Sequence, residues 1–290
     1  MDGVSVFAKT DVGRVRKGNE DNFLVVDTTS EHVDSLPEIR EINLVGNNNF
    51  FMVADGMGGP AAGEVASLLA VNTVLKETKN KIADNQTSFV SKIEDLLQKA
   101  NNTVFQNAQR HPELKGMGTT GTLAGIFNNK LFFGQVGDSR AYIIRNNTIT
   151  QVTKDQSYVG QLVKSGIITE EAAKNHPQKS LILQALGTQP KLKAAITSSK
   201  LCKNDYLLIC SDGLSGLVTK EEMKAVIQSS DDIASASQQL VDYSNKKGGH
   251  DNITLIIVHF ASDSLAPPSN GESVDFKTIT EFTPFTKPSP

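Results

Sequence analysis

Five apolar runs in this chain abut an acidic residue, and that pattern restricts the fold more than any other feature. Asp55-Gly56 follows FFMVA, Asp212-Gly213 follows YLLICS, and Gly137-Asp138-Ser139 lies between LFFGQV and AYIIR. Asp251-Asn252 precedes ITLIIVHF, and Glu20-Asp21-Asn22 precedes FLVV. Short apolar runs bounded by turn signals read as buried strands. Any one Asp-Gly or Asp-Asn pair is explained as an ordinary turn. Five together favour a sandwich in which strand ends meet on one side. Gathered carboxylates repel and raise one another's pKa unless a cation joins them. Carboxylate, carbonyl and water donors suit the hard cations Mg²⁺ and Mn²⁺, and the chain has no Cys/His set for zinc. Glycine after Asp55 and Asp212 also lets the backbone approach closely.

Arg16 lies in the polar loop Thr10–Asp21, which leads directly to Glu20-Asp21. A guanidinium there can hold two oxygens of a metal-bound phosphate; an exposed basic loop residue is the plainer reading.

The remaining pattern supplies the layers. Strands are expected at Val4–Ala8, Phe23–Val26, Phe50–Ala54, Thr120–Phe127, Leu131–Gln135, Ala141–Arg145, Thr148–Val152, Leu192–Ser198, Tyr206–Cys210 and Ile253–Phe260. Asn128-Asn129 and Asn146-Asn147 read as tight hairpin turns with positive φ. Helical spacing marks Ala61–Thr78, entered through Gly58-Gly59-Pro60, and Ser88–Gln109, Thr219–Gln228 and Asp231–Lys247. Thr219 with Glu222 forms a capping-box signature. Short helices fit Gln156–Ser165 and Thr169–Lys174, and Thr28–Asn49 reads as a polar surface excursion. The result is an α+β fold: a central β-sandwich of two mainly antiparallel sheets flanked by α-helices on both sides, four layers in all. Residues 1–260 make one domain. Residues 261–290 are rich in Pro, Ser and Thr without periodicity, and are expected to be a flexible tail.

Composition narrows the function classes. With 38% hydrophobic and 21% charged residues and a net charge of -3, the chain has no basic patch for nucleic acid. Its apolar runs are shorter than the about 18 residues that span a membrane. Two cysteines, Cys202 and Cys210, make no disulfide framework, which fits a reducing, cytoplasmic setting.

The segments GRVRKGNED, VADGMGG with GEVAS, GMGTTGTLAGI, GQVGDSRAYIIR, LILQALG, DYLLICSDGLSGLV and GGHDNITLIIV run from Gly13 to about Val258. In order and spacing they resemble the bacterial-type metal-dependent protein serine/threonine phosphatases, the type 2C family. The resemblance implies a monomer that hydrolyses phosphoserine and phosphothreonine in proteins. A water or hydroxide bridging two metals, Mn²⁺ or Mg²⁺, attacks directly and no covalent intermediate forms. Asp55 would bridge the metals and Gly56 would offer its carbonyl. Asp212 and Asp251 would bind the first metal and Glu20 would serve the second through water, with Asp21 ordering those waters. Asp138, with Asp212, would hold a possible third metal, and Arg16 would clamp the substrate phosphate. Residues from about 155 to 185 would form the flap beside the site, and a serine/threonine kinase is an implied partner. The chain departs from the family pattern at Met57, where many eukaryotic members carry a histidine, and at Gln156, Lys179 and Ser180 in the flap. A catalytically silent interaction module and a hydrolase of another phosphate ester are the alternatives.

Overall fold

A computed structural model describes residues 3–26, 31–33, 40–41, 49–59, 62–78 and 83–283. The expected helix start at Pro60 and most of the 28–49 excursion lie outside them. The elements in order are β1 (Val4–Asp11), β2 (Asp21–Val26), β3 (Glu31–Val33), β4 (Arg40–Glu41), β5 (Phe50–Met57), α1 (Ala62–Thr78) and α2 (Gln86–Arg110). There follow β6 (Gly118–Thr119), β7 (Gly121–Phe127), β8 (Lys130–Val136), β9 (Arg140–Arg145), β10 (Thr148–Gln151), α3 (Tyr158–Lys164) and α4 (Glu170–Lys174). The chain continues with β11 (Ala195–Lys200), β12 (Asp205–Cys210), α5 (Asp212–Ser215), α6 (Lys220–Ser229), α7 (Ile233–Lys246), β13 (Ile253–Phe260) and β14 (Phe276–Thr280).

Two antiparallel sheets form the centre. One runs β10-β9-β12-β13-β1-β4, the other β14-β11-β8-β7-β5-β2-β3, with β6 attached to β5. The strands read as nearly unbroken apolar runs because both faces of each sheet are covered. Side chains alternate between faces, so Phe51 and Val53 of β5 meet Leu207 and Ile209 of β12 between the sheets. Phe50, Met52 and Ala54 turn outward onto α1 and α2. Leu208 and Cys210 turn the other way, onto α6 and α7. The four-layer α+β sandwich expected from the pattern is the one observed.

Local signals explain the element ends. Asn128 and Asn129 take φ of 47° and 56°, and Asn146 takes 53°, as hairpin turns of this type require. Thr219 and Glu222 close a capping box at the start of α6. The hub strand runs further than its apolar residues, through Asp55-Gly56 to Met57.

The expected flexible tail needs correction. Beyond Phe260 the chain stays on the domain: Leu265 and Val274 are buried in the core between the sheets. Strand β14 adds an edge to the sheet by pairing with β11. Backbone hydrogen bonds and single apolar anchors hold this segment. Neither leaves a periodic trace in a Ser/Pro-rich sequence. Residues 284–290 of the expected tail lie outside the described residues.

Candidate metal centre

The sheet register builds the site. Antiparallel pairing sets Asp21 of β2 opposite Asp55 of β5, and Gly56 N donates to Glu20 O at 3.1 Å. The backbone of Asp55 is fixed on its other side. Its N–H donates to Thr120 Oγ1 at 2.9 Å, and its carbonyl accepts from Thr120 N at 2.8 Å and Thr119 Oγ1 at 2.9 Å. Asp212 opens α5 directly after β12, and Asp251 precedes the neighbouring β13. Asp138 sits in the turn between β8 and β9 and is buried.

Close backbone approach joins β5, β2 and α1. A Cβ on Gly56 would collide with Gly63 O and Glu20 O, and one on Gly63 would meet Glu20 Oε2. The two backbone contacts rule out a side chain at Gly56, and one at Gly63 would push the Glu20 carboxylate away. The two glycines therefore let the start of α1 press Glu20 against the hub.

Charge is the dominant property of the cluster. Burial, then the charges of Asp21, Asp212, Asp138 and Asp251, drive the Asp55 carboxyl well above the usual carboxylate range. Burial pushes Asp138 up to about 8, with Asp212 as the next contributor. Burial also raises Asp21 to about 7, although hydrogen bonds from Thr254 and Ser211 work against it. The Ser211 bond to Asp21 Oδ2 is 2.8 Å. Asp212 rises through burial and then the charge of Asp251, with Asp55 and the more distant Arg140 and Arg16 working against the rise. Glu20 rises through burial. Like charges gathered in a buried site cost several kcal/mol unless neutralised, and a divalent cation neutralises them with oxygen ligands alone. The donor set therefore fits Mg²⁺ or Mn²⁺. Among the described residues no three of these groups close into a ready cage, so the fit rests on charge and donor type.

Arg16 lies at the rim. Its Nη2 donates to Asp251 Oδ2 at 2.8 Å, and 47% of its side chain stays exposed. The structure thus brings Arg16, Glu20, Asp21, Asp55, Gly56, Asp138, Asp212 and Asp251 to one end of the sandwich.

Three residues here carry weight that sequence reasoning did not give them. Asn252 Oδ1 accepts from Glu20 N at 2.8 Å, and its Nδ2 donates to Val12 O and Gly18 O, both at 2.9 Å. It ties the Arg16 loop to the strand that follows Asp251. Thr120 holds Asp55 from below and bonds Ser139 Oγ at 2.7 Å, linking Asp55 to the turn that carries Asp138. Arg140 is gripped by Asp155, with Nε bonds of 3.0 Å and an Nη2 bond of 2.6 Å, and so fixes the root of the flap beside Asp138. For Asn252, directly after Asp251, adjacency to a strand-end aspartate was the available signal; Thr120 had none.

The departures in the flap and hub also find places. Gln156 is buried; its Oε1 accepts from Gly137 N and Gln184 Nε2, and its Nε2 donates to Gln135 O. It therefore serves as a structural joint. Met57 ends β5 with its Cε against Gly118 and offers no acidic proton.

A partly buried carboxylate cluster at one end of a four-layer sandwich, with an arginine at its rim, is the arrangement expected of a phosphate-ester hydrolase. The protein phosphatase 2C family model matches residues 41–248. The chain belongs to that family, and it is a serine/threonine protein phosphatase acting on phosphoproteins. It is 35% identical over 253 residues to the serine/threonine phosphatase stp of Listeria welshimeri, covering 86% of this chain and 93% of that protein. The S. agalactiae serine/threonine phosphatase structure superposes with a TM-score of 0.77 at 28% identity, over 88% of this chain and 98% of that one. The catalytic domain of the phosphatase PstP, solved in complex with two manganese ions, superposes with a TM-score of 0.72 at 30% identity, over 88% of this chain and 98% of that one.

Proposed function

We propose that the carboxylate cluster is the catalytic metal centre of this phosphatase, holding two divalent cations, Mn²⁺ or Mg²⁺, with room for a third. One observation carries the reading: Asp55 is half-buried at the end of β5, and the charges of four other aspartates raise its carboxyl together with desolvation. Asp55 would serve both principal metals and Gly56 would offer its carbonyl, with Asp212 and Asp251 on the first metal and Glu20 on the second. Asp138 with Asp212 would hold the third, and Asp21, fixed by Ser211, would order the surrounding water. Bound there, the cations supply neutralisation of phosphate charge, a more acidic water and stabilisation of the departing oxygen.

The chain's own groups do the rest. Arg16, half exposed and anchored by Asp251, offers its remaining N–H donors to the phosphate oxygens of phosphoserine or phosphothreonine. Water attacks phosphorus as the ester P–O bond breaks, and the serine or threonine oxygen leaves. A phosphocysteine intermediate is disfavoured, because both thiols are buried and burial pushes Cys210 up to about 12. A thiol held protonated is not a nucleophile. With Met57 at the end of the hub, the leaving oxygen takes its proton from solvent.

The test is Mn²⁺-dependent hydrolysis of a phosphothreonine peptide, with Asp55→Asn in parallel and Mn²⁺ binding followed by calorimetry. The wild type is expected to bind Mn²⁺ and release phosphate, and the variant to lose both. An intact peptide with the Mn²⁺-loaded wild type would sink the reading. We further propose a monomeric enzyme in the cytoplasm that opposes a serine/threonine kinase. Two unpaired thiols support that compartment, and no described helix is long and apolar enough to cross a membrane.

A further inference from the structure

A cavity of about 820 Å³ opens beside the carboxylates. Asp138 and Asp212 line one end, the flap helix α3 lines one side, and Thr280, Glu281 and Phe282 line another. The segment that sequence reasoning expected to be a loose tail is therefore part of the wall that a phosphoprotein meets. It is anchored from three directions. Thr280 Oγ1 donates to Glu94 of α2 at 3.2 Å, and Lys193 Nζ donates to Thr283 Oγ1 at 3.2 Å. Lys164 of α3 reaches Glu281 Oε1 at 2.8 Å, and Lys154 stands 3.6 Å from the same oxygen. Phe282 is buried between two exposed neighbours.

Most of the basic groups lining this groove are answered by carboxylates, with Lys179 beside them. Arg140 is held by Asp155 and Lys220 by Glu170, and Glu281 answers Lys154 and Lys164 together. Glu281 and its lysines are each about half exposed. Such pairs add little to stability, but they set the field that an incoming peptide feels.

We propose that Glu281 is a specificity-determining residue: by occupying Lys154 and Lys164 it lowers the positive charge of the groove, so phosphopeptides with acidic residues flanking the phosphorylated one gain less there than those two lysines would otherwise give them. Phe282 fixes Glu281 in that position by burying the ring beside it. The inference rests on the metal-centre reading above, because the groove matters only if the phosphate is hydrolysed at its carboxylate end.

The experiment uses the full chain loaded with Mn²⁺. It measures kcat/KM on two phosphothreonine peptides, one with neutral and one with acidic flanks, and on p-nitrophenyl phosphate. Glu281→Gln is expected to raise the acidic-to-neutral ratio about 3- to 10-fold. The gain should shrink at high salt, and adding Lys164→Gln should reverse it. Phe282→Ala is expected to shift the ratio in the same direction by a smaller factor. A merely structural role would lower both peptides together and leave the ratio fixed, which overturns the proposal. Failure of the wild type to turn over any of the three substrates would instead overturn the metal-centre reading.

Discussion

Strand β12 is flanked by two aspartates whose surroundings are opposite. Asp205, at its start, is buried and gripped by Arg145 through bonds of 2.9 and 2.7 Å, with the Cys202 N–H as a third partner at 2.8 Å. Asp212, just past its end, is half-buried beside Asp251 and Asp55 and rises in pKa. One charge is answered within the protein and the other is left to something outside it. A buried carboxylate with a complete set of donors holds the architecture. One surrounded by other carboxylates is a place for a cation. Asp205 is fully buried and Asp212 only partly, but it is the partners that give the two carboxylates opposite roles.

The contrast gives graded predictions. The largest effect is expected at the unanswered end. Asp55→Asn should lower Mn²⁺-dependent kcat/KM on a phosphopeptide by about 10³-fold or more, which is roughly 4 kcal/mol of transition-state stabilisation. The same change removes a repelling charge, so the metal-free variant should melt no lower than metal-free wild type, while Mn²⁺ should raise the melting temperature of wild type alone. A large loss of stability in metal-free Asp55→Asn would mean that this end is structural too.

At the answered end the signs reverse. Arg145→Met strands Asp205 and should cost about 3–5 kcal/mol in urea unfolding, the usual penalty for breaking a buried pair. Activity per folded molecule should stay at the wild-type level, and a matched fall in kcat would break the comparison. Next comes Arg16→Ala. It should raise KM for phosphopeptides roughly 10- to 50-fold with a smaller change in kcat, because phosphate contacts act mainly in binding. An unchanged KM removes Arg16 from the site.

The smallest effect concerns a charge answered at the surface. Hydrogen bonds, chiefly from Lys247 and then from Thr219, lower the Glu222 carboxyl to about 2 from an ordinary 4.5. A depressed pKa contributes stability above the unfolded value and loses it as pH falls through the folded one. Glu222→Gln should therefore cost about 0.5–1 kcal/mol at pH 7, the usual worth of a cap. The difference from wild type should fade between pH 4.5 and about 2. A difference that persists below pH 2 would place its origin elsewhere.

Much of this was readable in the chain, for definable reasons. The strands at Phe50, Leu207 and Ile256 were visible because apolar runs buried on both faces leave an unmistakable pattern. The cap at Thr219 and the Asn128-Asn129 turn were visible because local chemistry fixes them. Asp55, Asp138, Asp212 and Asp251 were visible because a carboxylate beside a buried strand is expensive without a purpose. Strand β14 was not visible, since FKTIT gains its place from the exposed edge of β11 rather than from its own spacing. Nor were the roles of Asn252 and Arg140, which depend on partners more than ten residues away: Asn252 reaches Glu20, and Arg140 reaches Asp155. Sequence shows that such residues are polar, but not what they join.

One last consequence follows from the length of β12. Asp205 and Asp212 are seven residues apart along extended chain, about 23 Å at the usual rise per residue. At an effective dielectric of about 20, two unit charges so separated interact by under about 1 kcal/mol. The strand therefore works as an insulator as well as a scaffold. The charge at one end can be rewritten with little effect on the other, so combined substitutions at Arg145 and Asp55 should add, and stability and metal binding can be tuned separately in the same molecule.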